Sequence, residues 1–124
     1  MKFTFKKNHS NIKRLEEAGS EALAKTAEAL HTEVVQAQVM PFDTGNMQNE
    51  NTFVRKVNDN KYQLVTNTEY ASRLYYHPEF NFNTASNPNA RGRWLEPWID
   101  GDKKDFCADT FKKFMEEEKN KRGV

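Results

Sequence analysis

Between Ser10 and Val39, small and apolar side chains return at steps of three and four residues: Ile12, Leu15, Gly19, Ala22, Thr26, Leu30, Val34 and Ala37, with Glu16, Glu17, Glu21, Lys25 and Glu28 between them. This is the spacing of one buried face on an α-helix, and no other stretch of the chain restricts the fold as much. Asn8 or Ser10 suits the N-cap, where a short polar side chain accepts a free backbone N–H. Pro41 has no N–H to donate and restricts the residue before it, which puts the helix end near Met40. At about 1.5 Å per residue such a helix is about 42 Å long, whereas a chain of this size packs to a diameter of about 35 Å. The helix must therefore bend or overhang. Gly19-Ser20 is the natural bend, and a straight overhang would point to a neighbouring subunit.

The apolar material available to cover that face is scarce. Val, Ile, Leu and Phe make up only 24 of the 124 residues, and mean hydropathy is −0.97. Disorder nevertheless does not follow, because the net charge is only +1 and the chain carries nine Phe, four Tyr and two Trp, whose large rings can build a small core. The length fits a single domain spanning residues 1–124. One cysteine, Cys107, cannot form an intramolecular disulfide, and no Cys/His cluster offers a structural zinc site, which suits a reducing cytoplasm. No apolar run approaches the roughly 20 residues of a membrane span, and the opening Met-Lys-Phe-Thr-Phe-Lys-Lys has no apolar signal core. A charge of +1 supplies no global field for nucleic acid, so such binding would need a local basic cluster.

The remaining elements are shorter. Lys2 to Lys6 alternate polar and aromatic residues, as a half-buried strand does. Asp43-Thr44-Gly45 reads as a turn in which Asp43 bonds nearby N–H groups. Two β-prone segments, Asn51–Val57 and Lys61–Thr66, flank Asn58-Asp59-Asn60 and predict a hairpin. Glu69 to Tyr76 predicts a short helix with Tyr70, Ala71 and Leu74 on one side. His77 to Gly92 holds two prolines and four asparagines and has neither helical nor strand period, which predicts a long loop of functional kind. From Trp94 a helical segment opens with Pro97 in its first turn, breaks at Gly101, restarts with Asp102 as cap and ends at Gly123. Its second part aligns Phe106, Thr110, Phe111, Phe114 and Met115, while Glu116-Glu117-Glu118 reads as a solvated end.

Little of this forms a catalytic constellation. Asp-Thr-Gly is the tripeptide of aspartic proteases, but it follows a long helix in a chain with five glycines, and a turn is the better explanation. His9, His31 and His77 stand at no metal-ligand spacing. Cys107 lies on an apolar stripe with no base near it, and Arg91-Gly92-Arg93 is too short to cradle a phosphate. No catalytic, cofactor or metal residue is expected. The one concentration of basic and aromatic residues is Arg73, Tyr75, Tyr76, His77, Phe80, Phe82, Arg91, Arg93 and Trp94, joined by Asn87 of the same loop. Such a mixture can anchor a protein interface, finish the core with its arginines in water, or stack bases as a small nucleic-acid-binding module over residues 73–94.

Tyr70-Ala-Ser-Arg-Leu-Tyr-Tyr-His-Pro-Glu-Phe-Asn-Phe-Asn83, followed by Asn87-Pro-Asn-Ala-Arg-Gly-Arg-Trp-Leu-Glu96, resembles the minor capsid proteins of tailed phages and of prophages in Gram-positive bacteria. Pro41-Phe42-Asp43-Thr44-Gly45-Asn46-Met47 is similar to a second signature of that family, in the expected place between the first helix and the hairpin. Together the strings cover about a quarter of the chain. Glu69 and Ser72 stand where that pattern commonly has proline and arginine, so phosphate binding by this loop is not carried over. The resemblance implies an α+β fold with a long N-terminal helix packed on a small, mainly antiparallel sheet, plus a short middle helix and a C-terminal helix. It also implies a non-enzymatic structural protein of the phage neck, related to head–tail joining and tail-completion proteins. The implied partners are copies of itself in a ring, neighbouring neck and tail proteins, and packaged DNA passing through the ring. The implied locations are the virion and, during assembly, the host cytoplasm.

Overall fold

The computed structural model describes residues 9–42 and 46–124. The strand expected over Lys2–Lys6, the cap expected from Asn8 and the Asp43-Thr44-Gly45 turn lie outside the described residues.

Helix α1 spans His9–Gln36 and is unbroken through Gly19-Ser20, the expected bend. Ser10 sits in its first turn rather than at its cap. The helix stops at Gln36, short of the expected Met40, for a local reason. The Ala37 N–H still bonds the Glu33 carbonyl at 3.0 Å, but Gln38 turns its N–H to Val35 at 3.2 Å and takes a φ of 56°. A left-handed residue of this kind closes a helix by itself, before Pro41 has any effect. On the inner face Ala18, Ala22, Thr26 and Val34 are buried, and the Thr26 hydroxyl donates to the Ala22 carbonyl at 2.7 Å. Leu15, expected on that face, is instead among the exposed large side chains.

A single π-helical turn, Asn46–Glu50, leads into β1 (Thr52–Asn58), which pairs antiparallel with β2 (Lys61–Thr66). The hairpin forms where the sequence places it. Asn58 accepts the Asn60 N–H on its side-chain oxygen at 2.8 Å, and the register slips between Lys56 and Asn58, leaving Val57 at a bulge. Buried Thr52 donates its hydroxyl to the Met47 carbonyl at 2.7 Å, tying the strand to the preceding turn. Helix α2 (Ala71–Tyr75) is shorter than Glu69–Tyr76; Ala71 is buried and Leu74 packs on the core, whereas Tyr70 is exposed.

Helix α3 (Glu96–Ile99) carries Pro97 in its first turn, and α4 (Phe106–Arg122) follows. The break falls at Gly101, where an added Cβ would lie 2.7 Å from the Pro97 Cα. The cap position of α4 belongs to Asp105 rather than Asp102, and Asp105 makes no side-chain cap bond. At the far end Gly123 adopts a left-handed φ of 70° behind Lys119, Lys121 and Arg122, cations that complement the helix dipole.

Helix α1 packs most extensively on α4 and then on the hairpin, giving the α+β arrangement of a long helix on a two-stranded antiparallel sheet with shorter helices and a C-terminal helix. Phe114 shares a pocket with Glu21 to Thr32, and Arg122 shares one with Lys13 to Ser20, so the two helices run antiparallel. The core joins Val34, Val39, Met40, Met47, Ala71, Trp94 and Trp98 at the C-terminal end of α1. Glu118 corrects the solvated-end expectation: it is 1% exposed, accepts from Lys25 Nζ at 2.5 Å and pairs with Arg122.

Candidate interaction surface

The segment just after α1 is a row of carbonyls that no helix satisfies, and the loop 77–94 is built onto it. Asn87, 4% exposed, donates from Nδ2 to the Met40 carbonyl and to Gln48 Oε1, both at 2.8 Å. Asn89 gives its backbone N–H to Gln38 at 3.2 Å and its side-chain Nδ2 to Ala37 at 3.1 Å, and the Arg91 N–H bonds the Val39 carbonyl at 2.9 Å. The run Asn87-Pro-Asn-Ala-Arg91 therefore works as a clamp, meeting the hydrogen-bonding demand of backbone groups that would otherwise be unpaired next to the core. The far end is fixed on α2. The Arg93 N–H bonds the Tyr75 carbonyl at 2.8 Å with Arg93 at a φ of 49°, and Gly92 sits where a Cβ would lie 2.6 Å from the Pro78 Cα.

With both ends held, the middle of the loop presents rings and cations. His77 stacks on Phe80 with centroids 4.7 Å apart and planes 7° from parallel, and the Arg73 guanidinium lies 5.7 Å from the Phe80 centroid on the same ring. Phe82 stands 6.5 Å from Phe80. His77 Nδ1 donates to Glu79 at 2.7 Å, and this bond holds the Glu79 carboxyl below its ordinary pKa. A second cluster runs inward: Arg93 lies over Tyr76 at 5.5 Å, Tyr76 meets Tyr75 edge-on at 5.2 Å, and Tyr75 meets Trp94 edge-on at 4.8 Å. Burial raises the Tyr75 phenol pKa.

The ten residues singled out in the sequence thus divide by depth. Trp94 is 2% exposed and, with Asn87, belongs to the interior, while Tyr75 packs against the core. Arg73, Tyr76, His77, Arg91 and Arg93 are exposed, and Phe80 and Phe82 are half-buried. Between the post-helix segment and the loop lies a groove of about 440 Å³ lined by Pro41, Phe42, Arg73, Leu74, Phe80, Asn81, Phe82 and Asn83. Its walls mix Leu74 and the rings of Phe42, Phe80 and Phe82 with Asn81 and Asn83, and among the described residues Arg73 is its one charged lining residue and forms no ion pair.

Sequence reasoning missed one support of this surface and one tie between α1 and α4. Gln48, buried beneath Asn87, lies in a polar run with no period to announce it. Glu118 could have been found, since it stands four residues after Phe114 on the apolar stripe and four before Arg122. Cys107 is half-buried and burial pushes its thiol pKa up, the opposite of an activated nucleophile. Among the described residues no group of His, Cys, Asp and Glu could hold a metal, and no helix is long and apolar enough to cross a membrane. Compared with protein-family models, curated proteins and solved structures, the chain matches none.

Proposed function

We propose that this chain is a structural protein of a tailed-phage neck, joining head to tail or completing the tail as one member of an oligomeric ring. The observation that carries the reading is the loop itself, which is clamped at both ends by buried asparagine and backbone bonds yet offers Arg73, Tyr76, His77, Phe80, Phe82 and Arg93 at or near the surface. Tyr and Arg are the side chains that anchor interfaces, and holding them in place beforehand lowers the ordering cost of association. One of the strings that resemble phage minor capsid proteins, Asn87-Pro-Asn-Ala-Arg-Gly92, is the binding edge of this clamp. Copies of itself, adjoining neck and tail proteins, and DNA threading the ring are the partners this role requires, and the virion is its place.

The test is electron microscopy of a lysate from the parent phage or induced prophage with an early stop in this gene. Filled heads and finished tails lying apart support joining, tails of abnormal length support tail completion, and normal infectious particles overturn the neck role.

A second reading rests on Arg73, Arg91 and Arg93, none of which forms an ion pair among the described residues. As a nucleic-acid-binding module the surface would neutralise about three phosphates, giving a slope of about −2.7 in log affinity against log salt on duplex DNA. Binding without that slope, or no binding at low salt, removes this reading.

A further inference from the structure

The groove beside Arg73 has a complement on the same chain. Ile99, at the end of α3, is 66% exposed, more than any other large hydrophobic residue among those described. It projects next to exposed Asp100, at a corner held rigid from both sides. The Asp100 and Gly101 N–H groups both bond the Glu96 carbonyl at 3.1 Å, Lys103 bonds back to Pro97 at 2.8 Å, and Trp98 beneath is buried. A branched aliphatic side chain on a fixed corner, with a carboxylate beside it, complements a groove that offers Phe42, Leu74, Phe80 and Phe82 for the aliphatic group and, as its one charged residue among those described, the Arg73 guanidinium.

We propose that the Ile99-Asp100 corner of one copy seats in the Phe42, Leu74, Phe80 and Phe82 groove of the next, with Asp100 meeting Arg73. Knob and groove are different patches, so the contact is head-to-tail, the kind that closes into a ring or propagates as a filament. The inference names the subunit contact of the ring proposed above and rests on that reading. Seating Ile99 removes an exposed side chain from water, and its loss should weaken association about 10- to 100-fold.

The test is analytical ultracentrifugation of the full chain over a wide concentration range. The expected result is concentration-dependent association that Ile99→Asp weakens by about tenfold or more. Arg73→Glu and Asp100→Arg should each weaken it too, and the double variant Arg73→Glu/Asp100→Arg should recover much of the loss. All three side chains changed in these variants are at exposed positions, and unchanged circular dichroism and melting temperature verify the fold. A chain that stays monomeric at every concentration overturns the contact, as does association indifferent to Ile99 and Arg73 or not recovered by the charge swap. The neck role stands or falls separately, on the stop-codon lysate.

Discussion

Glu118 holds the two longest helices together by charge. Its carboxylate accepts from Lys25 of α1 and pairs with Arg122 one turn along α4, and the Lys25 bond is the first cause holding its pKa below the ordinary carboxylate value. Because the folded pKa is lowered, this contribution is complete above the unfolded value of about 4.3 and is lost as pH falls through the folded one. Lys25 is raised, chiefly by the same bond, so its share is complete below about 10.4 and is lost as pH rises through its folded pKa. Glu118→Gln should therefore lower the melting temperature at pH 7, and the gap from wild type should narrow by pH 3. A gap that stays constant across that range would show that packing, and not charge, matters at this position. Asn87 stands in the same relation to the loop: Asn87→Ala strands the Met40 carbonyl and Gln48, at a cost of about 1–3 kcal/mol in urea unfolding. Faster amide exchange at Asn89 and Arg91, whose N–H groups complete the clamp, should accompany it.

Two glycines separate what an element needs from what it merely tolerates. Around Gly19, in the middle of α1, nothing among the described residues lies within 4 Å of an added Cβ, so the residue serves no close approach to them. Gly19→Ala should stabilise the chain by about 0.5–1 kcal/mol through helix propensity and a less disordered unfolded state. At Gly101 the same methyl would press on the Pro97 Cα, and Gly101→Ala should destabilise the α3–α4 corner. A melting series of the two variants is sufficient, and two shifts of the same sign would refute the distinction. Element types were legible because their causes are local: the steps of three and four in α1, the Asn58-Asp59-Asn60 turn, Pro97 at a helix start and Gly123 at a helix end. Boundaries were less so, since Gln38 ends α1 through a backbone conformation that its side chain does not advertise.

On the scale of the whole molecule, core and surface residues are interleaved in the one stretch 75–94. Trp94 and Asn87 face inward while Tyr76, 60% exposed, and Arg93 face out. Phe80 and Phe82 sit between, half-buried along an open groove, so replacing both with alanine should impair assembly far more than folding. Gel filtration of the variant should show a folded chain with weakened association, and outright unfolding would place these rings in the core instead. The candidate surface was visible in the sequence as a concentration of arginine and aromatic residues, but its division by depth was not.

That division marks the boundary between two kinds of information. Backbone sterics, capping, glycine and proline act over a few neighbouring residues, so helix, hairpin, loop and break could be read from residue order alone. Burial and pairing depend on what arrives from far along the chain: Glu118 on Lys25, Asn87 on Met40, Gly92 on Pro78. A carboxylate in a run of three is interior where two cations are brought to it, and Leu15 in a well-spaced stripe is exposed. Side-chain environment is a property of the packed molecule, and no local preference encodes it.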